Sequence, residues 1–191
     1  MKLILLLPAV LICAACSTVS SPRNSAIDNQ IQELASRYFE ALNSQDFEAA
    51  ALMVDPSDLQ AFRDKLLITK DVSTPIREEF IYSYFGPDAS DKSVEALTDA
   101  QYYGKMSKSI YATSQGTRTY TNKFKGPRII GSVKEHNNAH VVIEYSTRTV
   151  DGTMSTLVEV VTLRNKDNTW FVAQHHEMTA LADRIASMFN Q

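Results

Sequence analysis

Apolar and polar positions change rhythm twice along this chain. Leu3 to Ile12 is an apolar run broken only by Pro8, and the polar, Ser-rich stretch STVSSPRNS follows it. From Ala26 onward Ile27, Ile31, Leu34, Ala35, Tyr38, Phe39 and Leu42 recur at helical steps. That spacing predicts an amphipathic helix capped by Ser25, with Asp28 at its third position, ending near LNSQD. DFEAAALMV begins a short second helix. Asp55-Pro56-Ser57-Asp58 joins an N-cap, a proline at the first helical position and an acid in the first turn, predicting a third helix to about Ile68. Thr74-Pro75 opens a fourth over IREEFIYSYF, which Gly86-Pro87 stops. Thr98 with Gln101 forms a capping box for DAQYYGKMSKSIYATS, a fifth helix with Gly104 as its weak point.

From Gly126 the period shifts to two. PRIIGSVKE, HVVIEYSTRTV, MSTLVEVVTLR and TWFVAQHHE are rich in Val, Ile, Thr and aromatic residues, and Asn137-Asn138, Asp151-Gly152 and NKDN separate them. These spacings predict an antiparallel meander, and TALADRIASMFNQ reads as a closing helix. Helices first and strands after make an α+β domain in which the helices cover one face of the sheet.

Turn lengths suggest a register. A two-residue Asp151-Gly152 loop pairs Ile143 with Val160, Tyr145 with Val158 and Thr147 with Thr156 on one face. The opposite face then pairs Val142 with Val161 and Glu144 with Glu159. A four-residue NKDN turn adds Ala173 and His175 to the first face, and Trp170, Val172, Gln174 and His176 to the second. The first face suits packing against the helices. Its mostly apolar wall with a few polar groups is how small-molecule pockets are built, giving Tyr38, Tyr145, Thr147, Thr156 and His175 as candidate ligand-binding residues. The alternative is that His175 and the tyrosines are partly buried core residues. The second face, with Val142, Val161, Leu163, Trp170 and Val172, is apolar enough to need a cover, and a homodimer supplies one.

IQELASRYFEALNSQDFEAAALM at the front and TLVEVVTLRNKDNTWFVAQH at the back resemble the opening helices and last hairpin of the nuclear transport factor 2-like superfamily. Its cone-shaped fold is shared by ketosteroid isomerases and polyketide cyclases. The resemblance spans about residues 26 to 177 and implies a cone whose interior takes a ligand and whose outer sheet face dimerises. Between the matching ends, Asp55 to Ser114 reads as helix after helix, where that superfamily usually has a strand and one helix.

Cysteine usage adds an address. The chain of 191 residues has two cysteines, Cys13 and Cys16, both at the end of the first apolar run. Lys2, the short apolar run and Ala14-Ala15 have the order of an export signal, and the run is too short to span a bilayer, which takes about 20 apolar residues. With Cys16 next, the order resembles the lipobox of bacterial lipoproteins, in which the cysteine after the cut is acylated. The alternative is an ordinary secretory signal cut after Ala15. The lipobox reading makes residues 1–15 a signal peptide, 16–25 a flexible tether and 26–191 a single domain. Acyl chains on Cys16 would then anchor the protein in the membrane. Ser17, in place of Asp, implies the outer membrane by the sorting rule of Gram-negative lipoproteins.

The charge adds little. A formal net charge of −3 becomes −4 when Lys2 leaves with the signal, which gives no electrostatic footprint for nucleic acid. The glycines are isolated, so no phosphate-binding loop is expected, and no cofactor is implied. His175, His176 and Glu177 invite a metal reading, but neighbouring strand residues point to opposite faces, so no metal site is expected. A ketosteroid isomerase-type reaction needs a carboxylate inside the cone. The register places Glu144 and Glu159 outside it, so an isomerase or cyclase is the least favoured reading. The aromatic residues of EEFIYSYFG, QYYGKM and SIYA could form a ligand-accepting lining or a protein-docking strip, but they read as core, since Ile76, Phe80 and Tyr84 follow helical steps. The expectation is a lipid-anchored periplasmic module, non-enzymatic, that binds a small apolar ligand. The alternative is an interaction module that meets an envelope protein or a second copy through the outer sheet face.

Overall fold

Pro22, whose fixed φ suits the first turn of a helix, opens α1 (Pro22–Asn43) in the computed structural model, which describes residues 22–66, 73–115, 120–149, 152–174 and 176–189. Ser25 therefore lies inside the helix rather than capping it. Ile31, Ala35 and Phe39 form the buried stripe of α1, with Leu34 and Tyr38 packed beside them. Asp46 starts α2 (Phe47–Ala51) by accepting the Ala49 amide at 3.0 Å. Asp55 likewise accepts the Ser57 amide, at 3.0 Å, ahead of α3 (Pro56–Leu66).

α4 (Thr74–Phe85) stops at Gly86, as its sequence predicts, and the capping box Thr98–Gln101 opens α6 (Asp99–Gln115) through reciprocal bonds of 3.0 and 3.2 Å. Between them lies α5 (Asp91–Glu95), a single turn held by a capping box of two serines, Ser90 and Ser93. Arg63 of α3 secures this corner. Its guanidinium donates to the carbonyls of Leu97 at 2.6 Å and Glu95 at 2.9 Å, and to the Asp99 carboxylate at 3.0 Å. A cation at the end of a helix satisfies the carbonyls that lack a partner there. Phe80, Tyr84, Phe85 and Tyr102 form a chain of ring contacts, while Ile76, expected beside them, is exposed.

The four strands, β1 (Tyr120–Glu135), β2 (Asn138–Thr149), β3 (Met154–Lys166) and β4 (Thr169–Val172), make one antiparallel sheet in that order. The meander is as its sequence predicts, but the register is not. β2 and β3 pair Ile143 with Glu159, Val142 with Val160 and Tyr145 with Leu157. The connection between the paired residues Arg148 and Met154 is longer than a two-residue turn. Relative to the Asp151-Gly152 hairpin, β3 slips by one position, which exchanges its faces. Val161 and Leu163 are thus buried in the core beside Ala139, Val141 and Ile143, while Val158 and Val160 are exposed. Val172 lies opposite Leu163 and is buried too. The β3–β4 turn is tighter than NKDN suggests: Asp167 and Asn168 both take positive φ, at 50° and 65°, as a two-residue type I′ hairpin requires.

β4 ends at Val172, and one residue further the Ala173 amide still donates to Thr162 O on β3 at 2.9 Å before the chain leaves the sheet. The Gln174 amide donates to the Asp58 carboxylate at 3.0 Å, and His176 then opens α7 (His176–Phe189). The expected strand through His176 and Glu177 is therefore a helix start. On the outer edge of β4, Asp55 N donates to Val172 O at 2.9 Å and Val172 N donates to Met53 O at 2.8 Å, a short parallel pairing centred on Val54. This ties the loop before α3 to the sheet.

Asp55 is the buried charge at that junction. Burial alone would raise its pKa, but hydrogen bonds from Lys166, Ser57 and Arg164 outweigh it and hold the carboxyl at about 2. Lys166 Nζ lies 2.8 Å away and Arg164 Nη1 2.9 Å. Both oxygens of this carboxylate are thus engaged, Oδ1 by Ser57 and Lys166 and Oδ2 by Arg164, the condition under which a buried charge is tolerated. Among the described residues no helix is long and apolar enough to cross a membrane.

Candidate functional site

The core is filled where α1 meets the middle of the sheet and opens toward the C-terminal end of that helix. Phe39 is the last buried residue of the α1 stripe, and Leu42 and Asn43, one turn further on, reach past the packed region. The chain then turns through Gln45, whose φ is 61°, and presents Phe47 at the start of α2. Together with Tyr111 of α6, Pro127 of β1, Tyr145 of β2 and Glu159 of β3, these side chains line a cavity of about 170 Å³.

Each strand contributes for a local reason. Pro127 has no amide hydrogen to give a ladder, and it sits on the edge strand at a break in the β1–β2 register between Lys125 and Arg128. Such irregularities bend a strand and re-aim its side chains. Tyr145 follows Val141 and Ile143 along the helix-facing side of β2, and Glu159 precedes Val161 and Leu163 along the same side of β3. Tyr145 Oη donates to Glu159 Oε2 at 3.2 Å. The aromatic walls meet in pairs, Phe39 with Tyr145 at 5.9 Å between ring centres and Phe47 with Tyr111 at 5.3 Å.

Among the described residues the cavity is thus a mostly apolar chamber with one carboxylate, Glu159, on its wall. Glu159 was expected on the outer face, opposite Glu144. The slip in β3 separates the two: Glu144 faces outward and pairs with Arg128 at 3.0 Å, while Glu159 faces inward. A carboxylate in such a setting can accept a hydrogen bond, or a proton, from a bound molecule. Its charge also reaches the neighbouring Tyr38, whose phenol is pushed up to about 12, by burial first and by Glu159 second. Burial raises Tyr102 and Tyr103 in the same direction.

Of the candidate ligand-binding residues, Tyr145 lines the cavity. Tyr38 packs against the core one position away from the lining Phe39, with their rings 6.2 Å apart. Thr156 lies on the outer side of β3, opposite Ser146, and is exposed. Thr147 pairs with Ser155, and its side chain lies outside the described residues, as do His175 and Cys16. Phe39 and Leu42 were visible in the sequence as part of the α1 stripe. Tyr111, in the SIYA stretch that could form an aromatic lining but read as core, does line the cavity, while Phe47 and Glu159 were missed, because only the tertiary fold brings α2 and the slipped β3 to the same place.

Of the candidate dimer-face residues, Val142 remains on the outer side, half-buried, while Val161, Leu163 and Val172 belong to the core. Trp170 lies on the helix-facing side with Lys134 Nζ 5.7 Å from its ring centre. The outer side instead exposes Val133, Val158 and Val160, flanked by the Arg128–Glu144 pair and by His140, whose Nδ1 lies 3.1 Å from Thr162 Oγ1. Among the described residues no group of three or more His, Cys, Asp or Glu side chains is placed to hold a metal ion. Neither the protein-family comparison nor the curated-protein comparison gives a match to this chain.

Proposed function

We propose that this chain is a lipid-anchored protein of the cell envelope, tethered through Cys16 to the outer membrane, whose nuclear transport factor 2-like domain binds a small apolar molecule. The cavity between α1, α2, α6 and the sheet carries this reading. Its volume of about 170 Å³ is close to that of an engineered apolar cavity of about 150 Å³ that takes up benzene, so the ligand is of single-ring size. Binding rather than turnover is favoured because the Tyr145 hydroxyl donates to Glu159. That commitment removes a donor that an enzyme would direct at a developing oxyanion. The order of signal, small residues and Cys16 supports the anchor, and the helices-then-meander order supports the superfamily.

Titrating the full-length protein with benzene, followed by the aromatic resonances of Phe39, Phe47 and Tyr145, tests the reading. Saturable shifts at these rings, lost when Leu42→Trp fills the chamber in a folded protein, are expected. Shifts absent from these rings, or unchanged in the variant, contradict it.

A second reading rests on the exposed Val133, Val158 and Val160 of the outer sheet face. A second copy of the chain covering that strip would make a homodimer, and sedimentation would then respond to Val160→Asp. A protein that is monomeric at high concentration before and after that change contradicts it.

A further inference from the structure

A second concavity lies on the helical side of the molecule, between α4 and α5, which contribute no described residue to the chamber lining. Pro75, Glu78, Glu79 and Tyr82 recur at three- and four-residue steps and so share one face of α4. With Ala89 to Lys92 across the Gly86 corner they line an open groove of about 830 Å³. We propose that this groove binds an extended, arginine-bearing segment of another protein, with guanidinium groups on Glu78 and Glu79 and against the Tyr82 ring.

The shape of the groove is fixed by contacts within it. Arg77 donates to the Asp91 carboxylate and so ties α4 to α5, the Ser90–Ser93 capping box sets the start of α5, and Ile81 is buried at the wall. That ion pair commits Asp91, whereas Glu78 and Glu79 are exposed and make no ion pair or side-chain hydrogen bond among the described residues. Tyr82 is 64 % exposed although its neighbours Phe80 and Ile81 are buried. A large side chain left in water marks a contact surface, and tyrosine is among the residues that anchor one.

Charge and size name the occupant. Residues 73–97 hold five acidic and two basic side chains, so this segment alone accounts for the formal net charge of −3 carried by the whole chain. Charge concentrated in this way attracts a basic partner and repels phosphate-rich surfaces. From Pro75 to Gly86 the groove follows α4 for about 16 Å at 1.5 Å per residue, the span of about five residues of extended chain. A small cation would leave most of an open groove of that size unfilled. Arginine fits better than lysine because its planar guanidinium pairs with a carboxylate through two hydrogen bonds and stacks on an aromatic ring. Glu78 and Glu79 lie one helical turn before Tyr82, so one guanidinium meets both an acid and the ring face.

The test titrates the full-length protein with an amidated pentapeptide of alanine carrying arginine at its second and fourth positions, with the same peptide carrying glutamate there, and with spermidine. Binding is followed by the backbone amide resonances. The expected result is saturable shifts at Glu78, Glu79, Tyr82 and Asp91 with the arginine peptide, at a Kd below about 1 mM, and none with the glutamate peptide. Glu78→Gln combined with Glu79→Gln should weaken binding at least about 10-fold, and Tyr82→Ala about three-fold. Glu33→Gln, at an exposed acid of α1, should stay within about two-fold. The changed side chains are exposed, so unchanged melting temperatures are expected to show that the variants are folded. No saturation by about 1 mM, shifts centred elsewhere, or affinity that survives the paired glutamate changes overturns the proposal. Spermidine binding as tightly as the arginine peptide overturns the peptide assignment in favour of a small polyamine. Self-association without peptide, lost in the paired glutamate variant, assigns the groove to a second copy instead. None of these outcomes bears on ligand uptake by the chamber, which the benzene titration reads separately.

Discussion

Ile143 and Glu159 are direct cross-strand partners on β2 and β3. That one pairing decides which way the Glu159 carboxylate points, because Ile143 is buried against the helices and its partner must share its side of the sheet. The alternative pairing of Ile143 with Val160, which a two-residue turn would give, turns Glu159 outward, away from the cavity.

Two adjacent substitutions read the register directly. Val160 is 47 % exposed and Val161 5 %. Val160→Lys should leave stability within about 1 kcal/mol of the parent, as for most surface changes. Val161→Lys places an unpaired ammonium in the core and should prevent folding or cost several kcal/mol, on the order of 3 or more. Urea unfolding measures both, and the opposite ranking contradicts the pairing described here.

The difficulty of reading this register from sequence has a physical origin. LVEVV in β3 is apolar at positions of both parities, so alternation alone cannot choose the buried face. β2 was legible because Ala139, Val141, Ile143 and Tyr145 lie between polar or charged neighbours over most of its length. The helix starts at Pro56, Thr74 and Asp99 were equally legible, since capping residues act locally. The end of β4 was not, because Asp58, remote in sequence, captures the Gln174 amide and redirects the chain. Tyr145 and the α1 stripe were therefore the legible parts of the cavity. Phe47 and Tyr111 depended on how helices pack.

Acid should weaken the protein through Asp55. Its carboxyl is held at about 2 in the folded state, against an unfolded value of about 3.9. A depressed carboxyl contributes stability above the unfolded pKa, and that contribution, on the order of 2 kcal/mol, is lost as pH falls from about 4 toward 2. Asp55→Asn leaves Arg164 and Lys166 without their shared anion and should cost about 3 kcal/mol at neutral pH. Unfolding curves at pH 7 and pH 2.5 should show the gap between parent and variant shrinking in acid. A gap independent of pH would show that Asp55 is not the titrating group.

Gly104 holds α6 against α2. A Cβ built there would meet the Glu48 Cα and Cγ at 2.9 Å, closer than side-chain carbons approach. Gly→Ala inside a helix normally gains up to about 1 kcal/mol, but here the backbone of α2 must move, and overpacking costs about 1–3 kcal/mol. Gly104→Ala should therefore lower the melting temperature. A rise, as propensity alone dictates, would mean that the two helices do not approach so closely.

The proposed anchor depends on one sulfur. Cys16→Ser should abolish incorporation of labelled fatty acid and shift the protein from the membrane fraction to the soluble fraction. Labelling that persists in the variant rules out Cys16 as the acylated residue.

The central claim is that the chamber between α1 and the sheet takes a single-ring ligand beside Glu159. Crystals soaked in bromobenzene test it most directly, since bromine is located by its anomalous scattering. A bromine peak enclosed by Phe39, Phe47 and Tyr145 is the predicted result, and a bromobenzene molecule found only outside that chamber, with the chamber itself empty, would contradict the account.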